Sequence, residues 1–445
     1  MIKQPSQPKD LTSGSIYKHL IDLALPASMG MLFNTLYNLT DNWFAGQISD
    51  DALVGLSISS MVFYLFIGLF AGLQNGTSVM LSSELGAKNT GSLKAVSCNS
   101  ISVAVVFSLI VVVLGLLFAE DAIRWLSTRD ISLLYAWDYI QVLIIGNIVF
   151  AGAAVAAGAL MALGDTRSNR NVLVVGFFAN ILLNALLVFG FNLGVAGLAW
   201  ATLIIKFCSA AYLLTVLSQR LGFKPRLQFD TLLISRILKQ VVPASLNFLT
   251  MIVGSLIVTA FVSRFGDYAV AGYSVGLRLE QVLLLPALGL NAAVLAISGQ
   301  NFGAKNYRRI AETYRKAQLL GLSVSVICIP AMIFLSPLFL SFFSTQTEIV
   351  ITGVNYLRID AIVFFCYVSL FISVGTLQAT KQPNFPVIMG LLRQLLLPLM
   401  VNYYLIIVWG YSIVWLFASK AVIVIVSMVI TLFYTRQQLK KLPLK

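Results

Sequence analysis

Residues 26–46 read PASMGMLFNTLYNLTDNWFAG, and residues 243–263 read PASLNFLTMIVGSLIVTAFVS. Both stretches open on the same tripeptide, Pro26-Ala27-Ser28 and Pro243-Ala244-Ser245, 217 residues apart. The register runs without a gap from 25–89 onto 242–306 and closes with Gly86-Ala87-Lys88-Asn89 over Gly303-Ala304-Lys305-Asn306. Asp50, Ala52, Gly55 and Ser57 also match Asp267, Ala269, Gly272 and Ser274. Sixteen of the 65 columns are identical, against a chance level of ~7% from average residue usage. One acid breaks the repeat: Asp41 falls on Val258.

Composition says what kind of scaffold is repeated. The chain is 59% apolar and 11% charged, with a mean hydropathy of +0.90, whereas soluble domains carry about 25% charged residues. Apolar runs long enough for a bilayer core of about 30 Å recur along the whole length. They are continuous rather than alternating, so the spans are helices and not barrel strands. The pattern predicts an all-α integral membrane protein of twelve transmembrane helices, near 18–46, 52–82, 95–118, 135–163, 170–190, 195–218, 236–264, 268–299, 312–342, 349–379, 385–409 and 412–435. Several runs exceed a straight crossing, which predicts tilt or extension past the lipid.

The net charge of +13 is a topology signal. With the N-terminus in the cytoplasm, the tails and even-numbered loops carry 22 of the 30 Lys and Arg. The odd loops carry Arg124, Arg129 and Arg264, while Lys206, Arg278, Arg358, Arg393 and Lys420 fall inside spans. Asp50, Asp51, Glu120, Asp121, Asp130, Asp267 and Glu348 lie in or beside the odd loops. This positive-inside pattern puts both termini in the cytoplasm of a plasma or inner membrane. No basic stripe with interleaved aromatics is present, so nucleic acid is not the partner. The polar stretch before Lys18 lacks a cleaved signal-peptide pattern, so the first span would act as an uncleaved anchor. Cys98, Cys208, Cys328 and Cys366 form no CxxC pair and His19 is the single histidine, which leaves no zinc site or disulfide framework. His19 is expected at the membrane interface.

The duplication implies two pseudo-symmetric six-helix lobes, 1–220 and 231–445, joined by a basic cytoplasmic linker at 221–230. An even number of helices per lobe makes them parallel repeats, with substrate in a cavity between or inside the lobes. Tyr139 and Tyr356 keep the same offset in the fourth span of each lobe. Pro26 and Pro243 lie inside the first span of each lobe, where proline removes a backbone hydrogen bond and kinks the helix. Each kink is either static packing or a hinge. Gly30, one turn on, and Asp41 on the same helix favour a hinge at Pro26.

Asn34, Tyr37, Asn38 and Asp41 recur at helical spacing and should share one face. A carboxylate at this depth costs ~2–3 kcal/mol or more unless it is protonated or paired, so it should face protein or water and is a candidate proton site. Asn180 and Asn184 form a second stripe on the fifth span. Counted at about 1.5 Å per residue, Asp41, Asn184 and Thr202 lie near one depth, with Tyr37 and Asn180 about a turn deeper. Together with Tyr139 they outline a polar pocket in the N-lobe, open to the outside. The asparagines are either part of that site or interhelical glue, worth ~0.6 kcal/mol per bond. Lys206, about 6 Å deeper, is a possible partner for Asp41. In the C-lobe, Arg278, Glu280, Arg358 and Asp360 count to the bilayer middle. They are expected to form a structural charge network across helices, with cation binding by Glu280 or Asp360 the alternative. Arg393 and Lys420 would then add uncompensated positive charge.

These features together resemble the multidrug and toxic compound extrusion (MATE) family over the whole chain. Pro26-Ala-Ser with Asn38-Leu-Thr-Asp41 is similar to the family's first-helix signature. The two Gly-Ala-Lys-Asn loops resemble its repeated G-A-x-N/D turns, and Gly158-Ala-Leu-Met-Ala-Leu-Gly164-Asp165-Thr166-Arg167 resembles its fourth-helix ending. Asp41 and the Asn180/Asn184 helix resemble the DinF-like branch, whose N-lobe acid is implicated in proton coupling. Many relatives in that branch carry a second acid on the fifth helix, where this chain has asparagines. The NorM-like branch uses C-lobe acids for sodium, and Glu280 and Asp360 do not occupy that motif.

The resulting expectation is a monomeric antiporter, not an enzyme, with no cofactor or metal. It would exchange amphipathic, cationic drug-like compounds for H+, with Na+ as the alternative coupling ion. Ionised Asp41 attracts a cation; a proton from outside neutralises it, the first helix bends near Pro26, and the lobes rock inward. A lipid or glycan-carrier flippase of the same superfamily would call for a cationic cavity. A membrane-embedded transferase would need clustered metal-binding acids, and the one adjacent pair, Asp50-Asp51, sits in an outer loop.

Overall fold

The computed structural model describes residues 8–126 and 130–443. Arg129, counted above among the odd-loop bases, lies outside them. Every regular element among the described residues is helical. The first three spans are single helices, α1 (Ile16–Ile48), α2 (Asp50–Gly86) and α3 (Thr90–Leu126). The fourth is the pair α4 (Asp130–Ile145) and α5 (Asn147–Ala162), bent by 54°. α6 (Arg167–Asn184), continued by a π-helical segment Ala185–Gly190, and α7 (Gly194–Leu221) complete the first lobe. The second lobe begins with α8 (Thr231–Val262) and the bent pair α9 (Asp267–Leu283) and α10 (Leu285–Gly303), at 41°. It continues through α11 (Tyr307–Phe334), the short α12 (Ser336–Phe343) and α13 (Thr347–Ala379). Its eleventh span joins α14 (Asn384–Leu391) to α15 (Leu397–Asn402) through the π-helical segment Leu392–Leu396 and ends in another, Tyr403–Val408; α16 (Ile413–Lys441) is last. Among the described residues ten helices are long and apolar enough to cross a membrane, and the two bent pairs, each counted as one span, bring the number to twelve. The 37 residues of α2 rise about 55 Å, well beyond a bilayer core of about 30 Å.

The repeat is visible in how helices stop. α2 and α10 end alike: Lys88 and Lys305 take left-handed backbone conformations, φ 55° and 57°. The Asn89 and Asn306 amides reach back to the carbonyls of Glu84 and Asn301 at 3.2 and 2.9 Å, the six-to-one bond of a Schellman cap. Each Asn then starts the next helix, its side-chain oxygen accepting from the Ser92 or Arg309 amide, which is the N-cap role. The Gly-Ala-Lys-Asn signature is therefore a stop followed by a start. The fourth span of each lobe ends the same way, at Gly164 (φ 77°) and Lys381 (φ 60°), again 217 apart.

The Pro-Ala-Ser motif has a packing reason. Gly72 of α2 lies against Ser245 of α8, and Gly289 of α10 lies against Ser28 of α1, the same pair in each copy of the repeat. A Cβ on Gly72 would stand 2.6 Å from the Ser245 backbone nitrogen, and one on Gly289 2.5 Å from the Ala24 carbonyl oxygen. Small residues let these backbones touch.

Packing divides the chain differently from the expected boundary at 220 and 231. One compact unit holds Met29–Leu246 with the chain up to Asp10, and the other holds Leu11–Ser28 with the chain from Asn247 on. The first half of α1 joins the second unit because its approach is tied there. The Leu11 amide donates to Gln300 Oε1 at 2.9 Å, and Arg309 donates to the carbonyls of Ser13 and Gly14 at 2.7 and 2.8 Å. His19, expected at an interface, is buried and bonds the Ser13 carbonyl oxygen. The linker follows α3 in the first unit: the Gln228 and Asp230 amides donate to Ser102 Oγ and Asn99 Oδ1 at 2.9 and 2.8 Å.

The two bends are not repeated. At Gly146-Asn147 the Asn147 amide donates to the Ile144 carbonyl at 2.6 Å and accepts from Ser108 Oγ at 2.5 Å. The side chain thus satisfies backbone that the bend exposes. The repeat partners there are Val363 and Phe364, inside unbroken α13. At Leu284 the cause is Pro286, which lacks an N–H and clashes with the preceding turn; its partner is Leu69. α13 packs on α9, α10, α11, α12 and α16, and α5 packs on α2, α3 and α7, so the fourth span is central in each lobe.

Gly72→Ala and Gly289→Ala should each destabilise the protein by roughly 1–3 kcal/mol through overpacking, read as a lower melting temperature in detergent. Gly152→Ala, where a Cβ meets nothing within 4 Å, should be neutral or mildly stabilising by helix propensity. Equal melting temperatures for all three would remove the glycine–serine contact from the account.

Candidate functional site

Asp41 sits fifteen residues beyond Pro26 on α1, 4% exposed. Two amides hold it. Asn180 Nδ2 and Asn184 Nδ2 of α6 donate to the same oxygen, Asp41 Oδ1, at 2.8 and 2.7 Å. Their four-residue spacing puts both on one helix face. The oxygens of the two asparagine amides are buried and have no hydrogen-bond partner among the described residues. One turn deeper on α1, the Tyr37 hydroxyl donates to Thr202 Oγ1 of α7 at 2.9 Å. Tyr139 of α4 is buried within interaction range of Asp41 and Thr202.

The structure thus brings Tyr37, Asp41, Tyr139, Asn180, Asn184 and Thr202 together. It differs from the sequence expectation in three respects. The six side chains are buried rather than arranged around an open pocket. Asn38 is exposed and is not part of the cluster. The cause is rotation: Asp41 is about 40° from Tyr37 around the helix, whereas Asn38 is about 100° away. Lys206 forms no salt bridge with Asp41; its ammonium lies over the Phe150 ring, 5.8 Å from the centroid. Phe33 of α1 and Phe177 and Phe178 of α6 pack on one another, with ring centroids 5.1–6.3 Å apart.

The C-lobe charges pair in a way that the sequence reading missed. Lys420 of α16 reaches Glu280 Oε2 of α9 at 3.3 Å and Asp360 Oδ1 of α13 at 3.1 Å. Tyr356 donates to Glu280 Oε2 and lies 2.5 Å from the Lys420 ammonium. Tyr367 donates to Asp360 Oδ1 at 3.4 Å. Arg278 and Arg358 are not members: both are exposed, and Arg358 turns to the Ile333 carbonyl. Depth counting placed all four expected residues at one height but could not place them around their helices. Residues two apart on a helix point in different directions, so burying Glu280 and Asp360 sends Arg278 and Arg358 outward. Lys420 is therefore compensated rather than free. The preserved offset of Tyr139 and Tyr356 was the available signal, because Tyr356 bridges the cluster.

Arg393 of the eleventh span makes no hydrogen bond or ion pair among the described residues. It lines a cavity of about 180 Å³ together with Lys420, Glu280, Tyr273, Tyr367 and Val258. Among the described residues no group of three His, Cys, Asp or Glu side chains is placed to hold a metal ion.

Lys420→Met would leave two carboxylates buried without their cation and should destabilise the protein by ~3–5 kcal/mol. Adding Glu280→Gln should recover part of that loss. Arg278→Gln and Arg358→Gln should stay within about 0.5 kcal/mol of wild type. Thermal melts of the four proteins decide it: a larger loss from Arg278→Gln than from Lys420→Met would contradict the pairing.

The comparisons with known proteins follow the same duplication. The MatE family model matches residues 26–186 and again 243–404. The chain is 26% identical over 388 residues to the multidrug export protein MepA of Staphylococcus aureus (strain MSSA476), over 85% of each. It is 25% identical over 308 residues to the probable multidrug resistance protein YpnP of Bacillus subtilis (strain 168), over 68% of each. Its fold superposes on a MOP superfamily transporter from Pyrococcus furiosus with a TM-score of 0.92 over 99% of both chains, at 20% identity. With the family model laid once over each half of the repeat, the chain belongs to the MatE family, the multidrug and toxic compound extrusion transporters.

Proposed function

We propose that this protein is a proton-coupled antiporter that exports amphipathic cationic compounds, with Asp41 carrying the coupling proton. The observation that carries the reading is the Asp41 cluster. A sealed carboxylate receives two amide donors on one oxygen, beside two amide oxygens that lack donors. When ionised, Asp41 attracts a cation, and Tyr37 and Tyr139 supply aromatic faces for it. When protonated, Asp41 stops attracting the cation and gains an O–H that an orphan asparagine oxygen can accept. The same residue thus holds substrate and proton in turn, which is the requirement for exchange. MepA and YpnP are named for multidrug export and resistance, which supports drug-like substrates. The protein acts as a transporter rather than an enzyme, as a monomer in the plasma or inner membrane with both termini cytoplasmic. Exchange of one proton for one monovalent cation moves no net charge, so the proton concentration gradient rather than the potential drives this step.

Because the six side chains are buried, substrate reaches them only if α1 moves. Pro26 lies inside α1, and α1 passes from one compact unit to the other after Ser28, two residues beyond that proline. A change in the bonds from Asp41 to α6 therefore meets least resistance as bending at Pro26.

A second reading is favoured by the same orphan oxygens. If the Asn180 and Asn184 amides turn over, their oxygens join those of Asp41 and Thr202 in a donor set that suits a hard cation as well as a proton. In that case Na+ is the coupling ion.

Asp41→Asn should abolish gradient-driven export while leaving insertion and melting temperature intact, since the cluster loses its titratable group. Drug efflux at the wild-type rate from cells carrying this variant would show that Asp41 is not the coupling site. Asn180→Ala and Asn184→Ala should raise the half-saturating drug concentration more than Asn402→Ala, the C-lobe residue bonded to Ser419 at 2.7 Å.

Pro26→Ala should restore a backbone hydrogen bond, stiffen α1 and slow turnover with substrate affinity largely kept. The direct readout is a spin-label distance between the outer ends of α1 and α6, taken at pH 6 and pH 8. A wild-type distance that ignores pH, or one that changes equally in Asp41→Asn, would leave Pro26 as a packing kink.

A further inference from the structure

We propose that the C-lobe cavity is a second binding site, which takes amphipathic aromatic carboxylates, with Arg393 receiving the carboxylate. The cavity holds about 180 Å³, comparable with the roughly 150 Å³ that admits a benzene ring. Tyr273, Tyr367 and Phe371 form its aromatic wall.

Its position follows from the duplication. Val258, the repeat partner of Asp41, lines it. The second lobe therefore keeps a site where the first lobe has its acid, with the charge removed from that position. Two bases enter where the first lobe is uncharged: Arg393 falls on Gly176 and Lys420 on Leu203.

The charges of this site balance in sum but not in pairs. Lys420 is committed to Glu280 and Asp360. Those three sum to one negative charge, and Arg393 restores neutrality without pairing to either acid. A guanidinium inside a membrane span costs ~2.5–3.5 kcal/mol on insertion scales unless it meets a partner. Here its side chain lines two adjoining cavities and forms no ion pair among the described residues. Its planar fork of donors matches a carboxylate in bidentate fashion. The backbone supports the same reading. Arg393 lies within the π-helical segment Leu392–Leu396, a distortion frequent at functional sites. A cationic ligand is disfavoured because both acids already hold Lys420, and a second cation would face Arg393.

The inference is independent of transport and of Asp41, so its test needs no gradient. The probe is 2-naphthoate, with fluorescence anisotropy measured on the full-length protein in lipid nanodiscs. Wild type should bind it saturably, and 2-naphthylmethylammonium should displace it poorly. Arg393→Gln should weaken binding about tenfold or more, as expected for loss of charged hydrogen bonds. Arg393→Lys should be intermediate. Val258→Trp, which fills the cavity and leaves Arg393 in place, should also abolish binding. Absence of saturable wild-type binding would overturn the proposal. So would wild-type affinity in either Arg393→Gln or Val258→Trp, or equal displacement by the ammonium analogue. A signal lost in Asp41→Asn but kept in Arg393→Gln would place the anion in the other lobe and likewise overturn it.

Discussion

The bond pattern around Asp41 sets the terms for the rest of the molecule. A carboxylate inside a membrane-spanning bundle is tolerated when donors replace the water it has lost. Asn180 and Asn184 do that from one face of α6, and the Tyr37–Thr202 bond closes the next turn inward. Four spans must therefore meet at one point: α1, α6, α7 and the bent fourth span that brings Tyr139. The amide oxygens left without donors make the cluster sensitive to what Asp41 carries. A single proton or cation there changes the donor and acceptor count of the whole group. That sensitivity, inside an otherwise apolar lobe, is what an exchanger needs from one residue.

Duplication supplied two copies of the scaffold, and the copies kept different things. The contacts that hold helices together are preserved: the Gly72–Ser245 and Gly289–Ser28 approaches, and the Schellman caps at Lys88, Lys305, Gly164 and Lys381. These depend on backbone geometry, which tolerates few alternatives. The chemistry diverged. Asp41 became Val258, Leu203 became Lys420, and Gly176 became Arg393 in the pairing of the two halves. A buried acid held by neutral amides therefore stands opposite a buried triad held by a lysine, on one shared architecture.

The parts legible in the sequence are those that depend on distance along the chain. Apolar runs gave the twelve spans, and the 217-residue offset gave the two lobes. Helix rise gave a common depth for Asp41, Asn184 and Thr202, which the structure places in one cluster. What stayed hidden depends on rotation about helix axes and on distant packing. Asn38 shares a depth with the site but lies on another face. Lys420 reaches Glu280 and Asp360 because three helices turn their charged faces together, which a depth count does not contain. The exchange of half-helices at Ser28 and Leu246 follows from glycine contacts and from the Leu11 and Arg309 bonds. The bend at Gly146 rests on one asparagine side chain serving Ile144.

The central claim is that proton binding at Asp41 drives export. Its most direct test is transport of a fluorescent drug in proteoliposomes under a proton gradient and a sodium gradient, each imposed alone at zero membrane potential. The account predicts drug movement against its gradient with the proton gradient, none with sodium alone, and loss of the proton response in Asp41→Asn. Uptake driven by sodium alone, or a proton response that survives Asp41→Asn, would contradict it.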